Sequence, residues 1–112
     1  MANTTFTGPV ISQNGFIAGT GSATITKVLT ASASLNFPSI SAASQADLTI
    51  TVAGAATGDE VIMALPAAPA AGLVFNAFVS AANTVTVRAS NITGSPVDAA
   101  AATYGVIVIN AA

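Results

Sequence analysis

Polar and apolar residues alternate with a period of two along most of this chain. In "ADLTITVAG" (46–54), Leu48, Ile50 and Val52 fall on one face and Asp47, Thr49 and Thr51 on the other, the pattern of a half-buried strand. Residues 31–37 repeat it, with Ala31, Ala33, Leu35 and Phe37 against Ser32, Ser34 and Asn36. So do residues 84–90, where Val85, Val87 and Ala89 oppose Thr84, Thr86, Arg88 and Ser90. The run "DEVIMALP" (59–66) predicts a largely buried strand stopped by Pro66. "GLVFNAFVS" and "NTVTVRASNIT" predict two strands joined by a four-residue loop, Ser80 to Asn83, with Asn83 suited to a left-handed conformation. "ATYGVIVIN" (102–110) supplies a last strand. No 3.6-residue stripe lasts three turns, so helix is not expected.

The first forty residues differ in texture, being rich in Thr, Ser and Gly with Lys27 as their only charge. Asn14-Gly15 is the preferred dipeptide of a tight hairpin turn, and Gly19, Gly21 and Ser22 read as a flexible joint. Residues 1–22 are therefore expected to form an extended arm or small hairpin, and 23–112 a compact domain. Short strands separated by Gly, Pro and Asn turns define an all-β chain, an antiparallel β-sandwich whose strand spacing also admits a small jelly roll.

Composition narrows the function. The 112 residues carry one Arg, one Lys, four acids and no His. Charged residues make up 5%, against about 25% in an average domain. With a net charge of −2, the chain has no electrostatic footprint for nucleic acid. Mean hydropathy is +0.77, but the apolarity is Ala and Val scattered among Thr and Ser. The longest apolar block, 61–75, is interrupted by Pro66, Pro69 and Gly72, so no membrane span is expected. The start shows no leader pattern. Without cysteine there is no disulfide framework. A surface so short of charge suits burial by other subunits.

Chemistry is sparse. Without His, Ser-His-Asp hydrolysis lacks its base, and "GTGS" (19–22) lacks the lysine and helix of a phosphate loop. No catalytic, cofactor or metal site is expected, and the chain is not read as an enzyme. Asp59 after Gly58 reads as a turn cap rather than a cation ligand. Arg88, on the polar face of its strand, fits a solvated residue, an ion pair to an acid within or across subunits, or a ligand contact. Lys27 reads as a lysine guarding an edge against unwanted pairing. The glycosylation sequons at Asn3 and Asn91 read as coincidence in a Thr-rich chain.

"FTGPVISQNGF" (6–16) resembles the opening of many small virion proteins of tailed bacteriophages, marine and cyanobacterial ones especially. Residues 35–93 and "VDAAAATYGVIVIN" (97–110) resemble a β-rich domain of such proteins. Gly58-Asp59, the Ala/Pro-rich loop 66–72 and "SAANTVTVR" (80–88) carry the likeness. The sequence departs from the pattern at Gly105, where a larger, often basic residue is expected. The resemblance implies a structural component, either a capsid decoration (cement) protein or a head-fibre or tail-fibre protein.

As a decoration protein the chain would be made in the host bacterial cytoplasm and sit on the outer capsid surface. It would be a homo-oligomer, expectedly a trimer, clamping neighbouring subunits of the major capsid protein. Phe6, Val10, Phe16 and Ile17 of the arm would be its anchors, and Arg88 could form an intersubunit ion pair. As a fibre or adsorption protein it would dock by the arm and meet a host-surface glycan through loops 66–72 or 91–98. A secreted adhesive or ice-binding protein fits less well, having neither leader nor regular repeat.

Overall fold

The computed structural model describes residues 3–111; Met1 and Ala2 of the expected arm, and Ala112 of the expected domain, lie outside the described residues. Seven strands run in the order β1 (Phe16–Ile17), β2 (Thr24–Leu35), β3 (Gln45–Thr51), β4 (Glu60–Ala64), β5 (Leu73–Ala81), β6 (Thr84–Asn91) and β7 (Ala102–Ala111). They form two antiparallel sheets, β1-β2-β7-β4 and β3-β6-β5. The chain is an all-β sandwich. Apart from β1, the first strand pairs with the last and the second with the next to last. The third and fourth then lie at the same side of the two sheets. That is the winding of a jelly roll reduced to six strands.

The period-two pattern sets which face each strand buries. Val85, Val87 and Ala89 of β6 are fully enclosed, as are Val108 of β7 and, within a few per cent, Ile50, Val106 and Tyr104. At one end of the sandwich, Phe37, Phe75 and Tyr104 form an aromatic cluster with ring centroids 5.5 to 6.0 Å apart. Pairs at these separations and tilts contribute beyond the area they bury.

Loops gather at the two ends. Residues 36–44, 65–72 and 92–101 lie at the end with the aromatic cluster. The 52–59 connection, the Ala82-Asn83 turn, the start of β2 and the end of β7 lie at the other, with β1 beside them. The longest dimension is 57 Å, against about 40 Å for a twelve-residue strand. The radius of gyration is 17.6 Å, where a compact chain of this length has about 13 Å. Residues 3–14 are all exposed, and this extended shape fits an N-terminal arm.

Four expectations are corrected. The hairpin between β1 and β2 turns at Gly19 to Gly21, where both glycines have positive φ, so the expected joint is a turn. Residues 13–14 also turn, but among the described residues no strand precedes them. The loop expected over 80–83 shortens to Ala82-Asn83, because β5 continues through a bulge between Val79 and Ala81; Asn83 is left-handed as its type allows (φ 61°). β4 is not buried on both faces. It is the edge strand of its sheet, so Val61 and Met63 turn inward while Ile62 stays exposed. Lys27 guards no edge either. It sits on the inner face of β2, beside the bulge between Ile25 and Lys27, and its Nζ donates to Gly54 O on the opposite sheet's connection at 2.7 Å.

Candidate interaction surfaces

The only ion pair among the described residues is built into the smaller sheet. β3 and β6 pair so that Asp47 stands directly opposite Arg88. Nε donates to Oδ1 at 2.8 Å and Nη2 to Oδ2 at 2.9 Å, a two-pronged contact. Hydrogen bonding from Arg88 holds the Asp47 carboxyl below its ordinary value and raises the guanidinium in return. Arg88 also lies 5.2 Å from the ring centroid of Phe78 on β5, within cation–π range. Within the single chain the partner of Arg88 is thus an acid on the neighbouring strand. Thr86, on the same face, is buried and donates its hydroxyl to Ser80 Oγ.

A polar cluster closes the arm end. Asp59 accepts from the Ala56 amide across the turn at Gly58, as its position predicts. It also accepts from Asn110 Nδ2 at 2.6 Å, and this bond, followed by that from Ala56, keeps its carboxyl below the ordinary range. Thr26 donates its hydroxyl to Asn110 Oδ1, and Asn83 Oδ1 accepts from the Gly54 amide. Each of these four side chains bonds within the fold.

At the opposite end, Asn91 does the same. It is 3% exposed; Nδ2 donates to Ile40 O and Ser95 O, and Oδ1 accepts from the amide and hydroxyl of Thr93. The sequon asparagine is therefore a buried clamp on two loops. Loops 66–70 and 98–102 border a depression of about 430 Å³. Its wall includes Pro66, Pro69 and Asp98. The one aromatic residue bordering it, Tyr104, is 1% exposed, its hydroxyl pushed up from the ordinary value by burial.

The apolar surface is concentrated elsewhere. Phe6, Val10, Phe16 and Ile17 are all more than half exposed, and so is Ile11, at 88%. Only Phe16 and Ile17 are in a strand; β1 pairs them with Ile25 and Thr24. The outer face of the larger sheet carries a second patch that the sequence reading passes over. Val28, Ile62 and Ile107 are exposed there, around a shallow groove of about 480 Å³ floored by Gly105 between Ser32 and Ala64. The signal was present in the alternation, since these residues occupy the outward positions of β2, β4 and β7.

Comparison with known protein families, with curated proteins and with solved structures yields no match.

Proposed function

We propose that the chain is a bacteriophage capsid decoration protein, a homotrimer on the outer surface of the shell that clamps neighbouring subunits of the major capsid protein. The observation that carries this reading is the arm. Residues 3–17 hold five exposed apolar side chains at one end of a sandwich whose own core is complete without them. An arm of this kind suits burial against another chain, at about 25 cal/mol per Å² of apolar surface. The scarcity of charge fits close packing among subunits, and repetition over a shell multiplies a weak contact. Phe6, Val10, Phe16 and Ile17 are the anchors.

The test is occupancy on purified shells. Deleting residues 1–22 is expected to abolish or strongly reduce binding while the sandwich keeps its strand spectrum and unfolding transition. Unchanged occupancy would remove the arm from the mechanism. Copy number near that of the major shell protein supports decoration, and a few copies per particle overturns it.

A second reading, a fibre or adsorption protein, draws support from loops 66–72 and 92–101 lying at the end opposite the arm. Against it, the depression there has no exposed aromatic ring on which a sugar could stack. Binding of host polysaccharide that is lost on changing loop 66–70 would favour it.

A further inference from the structure

β2 is twelve residues long, yet β1 covers only its first two residues, Thr24 and Ile25. From Lys27 to Leu35 one side of β2 is paired with β7 and the other side has no strand on it. Ala31 O lies on the β7 side, 3.8 Å from where a Cβ on Gly105 would stand. Backbone groups alternate in direction along a strand, so those of Val28, Thr30, Ser32 and Ser34 face the open side. An edge of this length is a template for another strand. The single lysine that could have guarded it points inward instead.

The same chain contains a matching donor. Residues 5–11 read Thr-Phe-Thr-Gly-Pro-Val-Ile. Pro9 has no amide to give, so in an added edge strand it must face solvent. Alternation then turns Phe6, Gly8 and Val10 toward β2. Added antiparallel, as β1 is, the strand places Phe6 and Val10 on the outer face of the larger sheet beside Val28, Thr30 and Ser32, over the exposed apolar patch. Thr5, Thr7 and Ile11 fall on the inner side, where Leu29, Ala31 and Ala33 are only half buried.

In its own chain the arm pairs with β2 only through Phe16 and Ile17. Gly15 has φ +96°, and a Cβ there would stand 2.7 Å from both Ile25 O and Thr24 Cγ2. Ser12 Oγ donates to Gly15 O and closes the turn. Ser12 and Gly15 border a groove along Ile25–Val28 without pairing there, and Phe6, Val10 and Ile11 before them stay exposed.

We infer that residues 5–11 of one copy add as an antiparallel strand to the open edge of β2, Lys27–Leu35, in a second copy. Donor and acceptor are different surfaces, so the contact is head-to-tail, and it makes a ring where the rotation between copies closes. This rests on the homo-oligomer part of the reading above and supplies its joint. Phe16 and Ile17 stay outside the exchange, and of the four anchors proposed above Phe6 and Val10 then hold a neighbouring copy while Phe16 and Ile17 are left for the shell.

The experiment uses the purified full chain without shells, in sedimentation equilibrium over a range of concentrations with amide hydrogen exchange. Wild type is expected to associate, with the amides of Gly8, Val10, Thr30 and Ser32 protected. Gly8→Pro removes an amide that faces β2 and should weaken association about tenfold, the scale of one lost backbone pairing. Thr7→Pro alters an amide that faces solvent and should stay within about twofold. Equal effects of the two prolines, or a chain monomeric at all concentrations, overturn the inference. A monomer with the same amides protected also overturns it, because the arm would then have closed on its own edge. None of these outcomes depends on shell occupancy: a chain monomeric at all concentrations removes the homotrimer from the reading above, and equal effects of the two prolines in a chain that still associates remove only the joint proposed here.

Discussion

Asp47 and Arg88 stand opposite one another on β3 and β6, joined by two parallel hydrogen bonds of 2.8 and 2.9 Å. Their side chains are 40% and 34% exposed, so solvent screens the pair and salt should weaken it. A double-mutant cycle between Arg88→Ala and Asp47→Ala in urea unfolding is expected to give favourable coupling that shrinks at high salt. Cycles of Arg88 with Asp59, Glu60 or Asp98 should give none. Absence of coupling with Asp47 would remove the pair from the stability of the sheet.

The shifts of the titratable groups set the pH dependence. Asp47 and Asp59 are both held below their ordinary value of 3.8 in the folded chain. Their contribution is therefore fully present above that value and is lost as pH falls through the lower folded one. Tyr104 is shifted the other way, above 10.0, so its contribution is full below 10.0 and is lost as pH rises through the higher folded value. Unfolding free energy measured against pH should show both limbs. Asp47→Asn should flatten the acid limb and Tyr104→Phe the alkaline one; a Tyr104→Phe curve as steep as wild type above pH 10.0 would contradict the burial of the hydroxyl.

Phe37 is 1% exposed and meets both Phe75 and Tyr104 edge-on. Phe37→Ala should cost about 3–5 kcal/mol, the range for emptying a buried aromatic site. Urea unfolding reads the loss directly. A cost under about 1 kcal/mol would mean that the loop end collapses around the vacancy.

Asn83 combines a left-handed backbone with a side chain that accepts from the Gly54 amide, and its own amide and carbonyl bond Ala55 O and the Val52 amide. Asn83→Ala should destabilise by about 1–2 kcal/mol. Asn83→Gly should recover the backbone part of that loss while still lacking the acceptor. Comparing the two separates conformation from hydrogen bonding.

Gly105 sits in the middle strand of the larger sheet without a positive φ, and an added Cβ would meet Ala64 Cβ at an ordinary 3.5 Å. Gly105→Ala should therefore stabilise the isolated chain by about 0.4–1 kcal/mol, chiefly by restricting the unfolded state. Thermal unfolding measures this. A lower midpoint would show that Ala64 and Ala31 do not leave room for the added methyl group.

The strand positions were legible because alternation is a local property. Leu48, Ile50 and Val52, like Val85, Val87 and Ala89, point inward as their spacing dictates. Asp59 could be read as a cap because Gly58 beside it marks the turn. Position within a sheet is not local. "VIMA" has the same composition in a central or an edge strand, so the exposure of Ile62 depends on β4 pairing only with β7. Lys27 turned inward because a bulge and a distant carbonyl, Gly54 O, were waiting for it. The choice between Asn14-Gly15 and Gly19 to Gly21 as the hairpin turn rested on which residues could pair. Phe16 and Ile17 have partners in Ile25 and Thr24, and the described residues before Asn14 have none.

The register of β2 with β7 sets Ile25 beside Ala111. The chain therefore enters and leaves the sandwich at the same end, and loop 65–72 turns back at the far one. A ten-residue strand separates the two ends by about 34 Å. A peptide grafted into residues 67–70 would be carried that far from the base of the arm, whereas a domain joined after residue 111 would be crowded against it. For use as a display scaffold, the graft belongs in the loop.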